Sequence, residues 1–244
     1  MTKIFEALKQ QSREEARILT RHPKITDETA PKQGPGSDLE ESMISLYQGL
    51  ENTLPDRGRK VLQFVASRRG EGTSTIVKEF SRVITERFGK SVLVLDADQS
   101  HPIQHLFLGV TPLHYLEEVL KNGLAVEKAI YRVGESRLAL SLIARNNGAT
   151  TETFDPPEIC GLLDQLKALF EFVLIDSPPV TESQDTLSIC PKVDGVVLVI
   201  EAETTRWPVA VKVKEEIIKN GGTIMGMVFN KRQYYIPKFI YERL

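Results

Sequence analysis

The sequence predicts an α/β fold of three layers, a mostly parallel sheet with helices on both faces. The runs 61–66, 172–175 and 195–200 are short and almost wholly apolar, which is typical of strands buried on both faces. Between such runs, apolar residues recur at helical spacing, as they do over 156–170. Strands that alternate with helices favour a parallel sheet, because each helix carries the chain back across one face.

The remaining elements follow the same alternation. Further strands are predicted at 91–95, 138–143 and 223–229, and further helices at 39–50, 113–120 and 208–218. Residues 1–20 carry a narrow apolar stripe at helical spacing and predict an N-terminal amphipathic helix, suited to docking on a partner or a membrane surface. Residues 21–37 are rich in proline and glycine and read as a linker. The main domain is therefore predicted over 38–244.

Composition narrows the function classes. The chain has 244 residues, of which 41% are hydrophobic and 26% charged, as in an ordinary globular protein. A net charge of -2 gives no general attraction to nucleic acid, so no nucleic-acid partner is predicted. Cys160 and Cys190 lie far apart and are expected to be reduced thiols. Because no apolar run approaches the roughly 20 residues of a membrane span, a cytoplasmic location is predicted, with peripheral binding at the inner face of the plasma membrane left open.

The segment 61–76 combines a strand, a glycine-rich loop and a helix, which is the context of a phosphate-binding loop. Glycines let successive backbone N–H groups converge on an anion, and the helix N-terminus adds positive partial charge. The lysine of the usual G-x-x-x-x-G-K-[ST] pattern is replaced by Thr73. The predicted nucleotide-binding residues are Gly70, Glu71, Gly72, Thr73, Ser74, Thr75 and Asn230.

Polar residues stand where other predicted strands end, namely Asp96, Asp98, Asp176 and Asn230. Ligands of parallel sheets bind beyond the carboxyl ends of the strands, so these side chains are expected at one site. Ser74, Asp96 and Asp176 are the predicted Mg²⁺ ligands. Asp96 and Asp98 are also candidates for accepting a proton from an attacking hydroxyl. The alternative, that each Asp caps the turn after its strand, stays open.

Three motifs resemble those of the bacterial tyrosine kinases of capsule and exopolysaccharide systems, which are P-loop ATPases of the deviant-Walker type. They are G-E-G-x-S-T at 70–75, V-L-V-L-D-A-D at 92–98 and V-L-I-D-S-P-P-V at 173–180. The resemblance implies a P-loop NTPase-like fold that binds ATP or ADP with Mg²⁺. It also implies a homo-oligomer and a membrane-embedded chain-length or co-polymerase partner.

The chain departs from that family at several positions. Thr73 cannot supply the mobile cation of the family's lysine, which weakens the electrostatic stabilisation of phosphoryl transfer. The arginine that usually follows the second motif is absent, since Gln99-Ser100-His101 stand there, and Ile44 and Tyr47 replace two arginines of the oligomerisation helix. Arg68 lies where related ATPases carry a second lysine and is a candidate for restoring the charge in catalysis. The alternative is that Arg68 and Arg69 are solvated loop residues.

Three functions remain open at this stage. The first is a nucleotide-binding, kinase-like subunit that regulates polysaccharide synthesis and export, with kinase activity weak or lost. The second is an active ATP-dependent protein-tyrosine autokinase, with Arg68 supplying the charge. The third is a partition- or positioning-type ATPase that cycles on a surface through the N-terminal helix. Whether the chain is an enzyme at all is left undecided by the sequence.

Overall fold

The computed structural model describes residues 36–54, 58–143 and 156–232, with the side chains of 36–38 and 156–158 excepted. The chain divides into two units, Met1–Ser37 and Asp38–Leu244, and nearly all described residues belong to the second. The predicted N-terminal helix, the predicted linker up to residue 35, and the tail from residue 233 lie outside the described residues.

Seven α-helices and seven strands occur among the described residues. The helices are α1 Gly36–Thr53, α2 Thr73–Phe88, α3 Gln104–Phe107, α4 Leu116–Lys121, α5 Pro156–Leu169, α6 Asp185–Ile189 and α7 Trp207–Lys219. The strands are β1 Lys60–Ala66, β2 Val92–Asp96, β3 Tyr131–Arg132, β4 Leu138–Leu142, β5 Phe172–Asp176, β6 Gly195–Glu201 and β7 Ile224–Asn230. Short 3₁₀ helices cover Val126–Ala129 and Cys190–Lys192.

The strands form one sheet in the order β3-β4-β2-β5-β1-β6-β7. All pairs are parallel except β3 with β4. Successive residues of a strand face opposite sides of the sheet. Alternate residues of β1 accordingly pack on two sides, Leu62 in a core with α1 and α2, and Val61 in a core with α4 and α5. The predicted three-layer, mostly parallel fold is confirmed.

The structure differs from the prediction in three details. The helix expected at 113–120 begins only at Leu116, because the hydroxyl of Tyr131 accepts the backbone N–H groups of Leu113 and His114 at 2.9 and 2.6 Å. Helices α3 and α6 have four and five residues, too few to show a helical period. The antiparallel strand β3 has two residues, too few to show an alternation of apolar and polar side chains.

Helix α1 packs on the core through Ile44 and Tyr47, the two residues that replace arginines of the family's oligomerisation helix. Tyr47 is 7% exposed and stacks on Phe88 with ring centroids 4.0 Å apart. Ile44 is partly buried and packs on the same core. An arginine at position 47 would have to bury its charge in this aromatic contact, which explains the aromatic residue there. Among the described residues, no helix is both long and apolar enough to span a bilayer.

Because the central strands are parallel, their carboxyl ends lie along one edge of the sheet. Asp96 at the end of β2 is the direct register partner of Asp176 at the end of β5. Asp176 is also paired with Phe64 of β1, two residues before the last residue of that strand. On the other side, Glu201 of β6 is paired with Asn230 of β7. The sheet therefore brings the predicted site residues to one edge.

Candidate functional site

The glycine loop between β1 and α2 is braced from within by Glu71, whose side chain is fully buried. Its carboxylate accepts the backbone N–H groups of Ser67 and Arg68 at 2.6 and 3.0 Å, and the Ser67 hydroxyl at 2.9 Å. The hydroxyl of Thr205 also donates to Glu71 Oε1. Glu71 was predicted to bind nucleotide, and the structure places its carboxylate on the loop itself, where it fixes the loop's shape.

Two glycines of the loop hold conformations that other residues rarely adopt. Gly70 and Gly72 have φ angles of 91° and 92°, a region where a Cβ is sterically costly. A Cβ on Gly72 would in addition clash with Nδ2 of Asn230. That amide donates to the carbonyl oxygen of Glu71 at 2.9 Å and joins the end of β7 to the loop. Asn230, a predicted nucleotide-binding residue, therefore lies against the loop.

Helix α2 begins directly after the loop at Thr73, which is 8% exposed. The side chain of the next residue, Ser74, lies close enough to the Asp176 carboxyl to oppose the rise of its pKa. A second contact joins the same elements, since Nε2 of Gln104 donates to Ser74 O at 2.9 Å and to Asp176 Oδ2 at 2.7 Å. The structure thus brings together the hydroxyl and the carboxylate predicted to hold Mg²⁺, with Gln104 as a support.

Asp96 is buried beside Asp176, and its oxygens are occupied by backbone donors. Oδ2 accepts the N–H groups of Ile103 and Gln104 at 3.0 and 2.9 Å, and Oδ1 accepts the N–H of Asp98 at 3.2 Å. Burial, followed by repulsion from Asp176, raises the pKa of Asp96 to about 8. Burial likewise raises the pKa of Asp176, against the hydrogen bonds from Gln104 and Ser74. Adjacent carboxylates resist double ionisation, so the pair favours holding a proton or a cation.

Asp98 faces the loop across an ion pair. Its Oδ2 lies 3.0 Å from Nη1 of Arg69, and its Oδ1 accepts the backbone N–H of His101 at 3.0 Å. The other edge of the same guanidinium holds Glu182, whose carboxylate accepts Nε at 3.0 Å and also Nη2. Arg69 therefore ties the loop to two acidic residues, which disagrees with the alternative that it is a solvated loop residue.

Two further cationic side chains at this edge, Arg68 and Lys231, lie near the carboxylate of Glu201. Arg68 Nη2 lies 3.7 Å from Glu201 Oε2, and Lys231 Nζ lies 3.5 Å from Glu201 Oε1. Lys231 Nζ also donates to the carbonyl oxygen of Gly70 at 2.6 Å. The Arg68 side chain is 45% exposed, and its neighbour is an acid, so it is placed at the rim of the loop.

A cavity of about 380 Å³ opens over the loop. Its lining includes loop residues 68–70 and 72–75, together with Asp98, His101, Phe107, Ser177 and Lys231. Within the described ranges no group of three or more His, Cys, Asp or Glu side chains suits a metal ion. A metal here would need ligands of another kind, such as the Ser74 hydroxyl and phosphate oxygens.

The sequence is similar to those of proteins named as bacterial tyrosine-protein kinases. No family model matches the chain. The putative tyrosine-protein kinase EpsB of Ralstonia nicotianae is 26% identical over 193 residues, which are 78% of this chain and 25% of EpsB. The tyrosine-protein kinase YwqD of Bacillus subtilis is 25% identical over 199 residues, 82% of this chain and 84% of YwqD.

The chain is similar in sequence to bacterial tyrosine-protein kinases. The resemblance to tyrosine kinases of capsule and exopolysaccharide systems is thereby confirmed. The matched part of this chain spans a quarter of the length of EpsB but most of the length of YwqD. The similarity to EpsB is therefore confined to one part of that longer protein.

Solved structures of other proteins share the fold of this chain. The chimerical protein CapA2B2 superposes with a TM-score of 0.72 at 22% identity, over 89% of this chain and 90% of that chain. The septum site-determining protein MinD of Pyrococcus horikoshii, solved with Mg-ADP, gives a TM-score of 0.61 at 22% identity, over 75% of this chain and 76% of that chain. At these identities the likeness establishes the P-loop NTPase-like fold.

Sequence reasoning missed four residues of the candidate site in this chain. All four lie far along the chain from the loop: Gln104, Glu182, Glu201 and Lys231. Glu201 could have been found, because it ends strand β6 and obeys the same strand-end rule as Asp96. Lys231 directly follows Asn230. Gln104 and Glu182 follow loops whose paths no local pattern indicates.

Proposed function

We propose that the chain is a nucleotide-binding, kinase-like subunit that regulates capsule or exopolysaccharide synthesis, with phosphoryl transfer weak or lost. One observation carries the proposal. The Ser74–Asp176 contact is kept beside an intact glycine loop, while the position that should supply the cation is the buried Thr73. The frame for binding nucleotide is therefore present, and the group that stabilises the transferred phosphoryl charge is missing.

The residues present fit a magnesium nucleotide. Gly70 and Gly72 line the cavity with positive φ angles, and the N-terminus of the 16-residue helix α2 opens into the same cavity. Backbone N–H groups of the loop would hold phosphate, and Ser74 with Asp176 would hold Mg²⁺. When bound, the metal neutralises phosphate charge.

The contacts of Asp98 and Asp96 also support weak or lost phosphoryl transfer. Asp98, the candidate proton acceptor, has Oδ2 engaged by Arg69 at 3.0 Å and Oδ1 engaged by the backbone N–H of His101 at 3.0 Å. Asp96 already accepts three backbone N–H groups, which suits a structural role in holding the start of α3. Neither carboxylate is free to act as a general base without rearrangement.

The finer parts of the proposal follow from the family. The subunit would act in the cytoplasm beside a membrane-embedded co-polymerase, and as a homo-oligomer. Polymer yield and chain length in cells lacking the chain test this role. An unchanged polymer in such cells would contradict it.

Titration calorimetry with ADP and ATP, each with Mg²⁺, tests the site itself. We expect measurable binding that is lost in Asp176→Asn, with an intact fold by circular dichroism. A phosphotyrosine assay on the same sample should show little or no autophosphorylation. Robust tyrosine phosphorylation would favour the active autokinase, and absence of nucleotide binding would exclude both.

A further inference from the structure

Three cationic side chains line the cavity over the loop, and they differ in what their charged atoms contact. Arg69 uses both edges of its guanidinium on the carboxylates of Asp98 and Glu182. The Arg68 guanidinium lies 3.7 Å from Glu201, beyond hydrogen-bond distance. Lys231 differs from both, because its ammonium donates to a carbonyl of the loop, Gly70 O, at 2.6 Å.

The geometry of Lys231 leaves its charge available to the cavity. An ammonium group has three N–H donors. One donates to Gly70 O, and Glu201 Oε1 at 3.5 Å is near enough to attract a second. The side chain is 49% exposed, so no tight burial prevents a small movement toward a ligand. At least one donor therefore remains for an anion in the cavity.

The backbone at this residue is also unusual. Among the described residues, two that are not glycine have a positive φ, Glu203 at 63° and Lys231 at 56°. This conformation is costly for a side chain with a Cβ and is kept where the surroundings impose it. The N–H of Lys231 donates to Asn230 Oδ1 at 2.9 Å, while the amide of Asn230 donates to Glu71 O. Asn230 and Lys231 thus attach to adjacent residues of the loop as a unit.

We propose that Lys231 supplies the phosphate-binding charge that Thr73 lacks, and that Glu201 restrains it when no nucleotide is bound. The inference rests on the nucleotide binding proposed above. The lysine reaches the loop from the end of β7, 161 residues further along the chain, so the charge returns to the loop from another element. Phosphate oxygens would replace Glu201 as its acidic partner.

The test is the Mg²⁺-dependent affinity for AMP, ADP and ATP, measured by calorimetry at fixed salt on the full chain. Lys231→Gln should raise the dissociation constant for ADP about tenfold, with a smaller rise for AMP and a larger one for ATP. Glu201→Gln should lower it by about threefold. In the double variant the effect of Glu201→Gln should vanish, because its target is gone.

Matched controls come from an equivalent pair on α7. Lys212 and Glu216 form an exposed pair at 3.9 Å, and neither lines the cavity. Lys212→Gln and Glu216→Gln make the same charge changes and should leave all three affinities unchanged. Lys231→Arg, which keeps the charge, should retain most of the ADP affinity, and circular dichroism should show every variant folded.

The outcomes separate the two proposals. If the parent protein binds no nucleotide, the proposed function fails and this inference fails with it. If the parent binds ADP but Lys231→Gln matches Lys212→Gln, nucleotide binding stands and the role of Lys231 is refuted. Equal losses for AMP, ADP and ATP would assign Lys231 to the base, the ribose or the α-phosphate that all three share, and would overturn its role in replacing the missing lysine charge at the outer phosphates. A Glu201→Gln effect that persists in the double variant would show that Glu201 does not act through Lys231.

Discussion

Replacing Gly72 by alanine should destabilise the protein and abolish nucleotide binding. At a φ of 92°, a residue with a Cβ costs about 1–2 kcal/mol in the folded state. The same Cβ would clash with Nδ2 of Asn230 and displace the amide from Glu71 O, a hydrogen bond worth about 1 kcal/mol. The free energy of unfolding should therefore fall by about 2–3 kcal/mol.

Gly70 offers a control with the same backbone strain. Its φ is 91°, and a Cβ there would have no atom within 4 Å. Gly70→Ala should then lose only the strain of about 1–2 kcal/mol. The difference between the two alanine variants isolates the contact with Asn230, and adding Asn230→Ala to Gly72→Ala should remove most of that difference.

Urea unfolding followed by circular dichroism measures the stabilities, and calorimetry with ADP measures binding. Equal destabilisation by Gly70→Ala and Gly72→Ala would refute the close approach of Asn230 to the loop. Retained ADP affinity in a folded Gly72→Ala protein would refute the loop as the phosphate site.

Three further predictions concern neighbouring residues. Thr73→Lys should strengthen ATP binding about tenfold and allow hydrolysis to be detected by phosphate release, since a lysine returns charge at the loop; a folded but unchanged variant would mean that position 73 is not the main defect. Arg69→Ala should lower the free energy of unfolding by about 1 kcal/mol, because its two carboxylate partners lose their shared cation; Arg87→Ala, which removes an exposed pair with Glu40, is the control, and an equal loss in both would count against a special role for Arg69. Folding raises the pKa of Asp96 from its usual 3.8 to about 8, so the contribution of Asp96 to stability should be fully present below about pH 4 and lost as the pH rises toward 8. Asp96→Asn should remove this pH-dependent loss, which is at most about 1.4 kcal/mol per pH unit, in urea unfolding at pH 5 and pH 8; parallel curves for variant and parent would contradict the assignment.

The sequence alone predicted the fold, which the structure confirms, and it predicted which strand ends meet at the candidate site. Apolar runs bounded by glycine and aspartate encode strands and turns within a few residues, so they are legible without tertiary contacts. The parallel sheet then follows from the alternation, and it obliges Asp96, Asp176 and the glycine loop to meet at one edge. The absence of a lysine at position 73 was equally plain from the sequence.

Only the tertiary structure decided which side chains contact the loop. Arg68 and Arg69 are adjacent and chemically alike, yet one lies near Glu201 and the other binds Asp98 and Glu182. That choice depends on strand register and loop paths, since Arg69 and Glu182 are 113 positions apart in the chain, and local patterns do not carry such information. For the same reason Glu71, expected to face a ligand, instead holds its own loop, and Lys231 reaches Gly70 from the far end of the sheet.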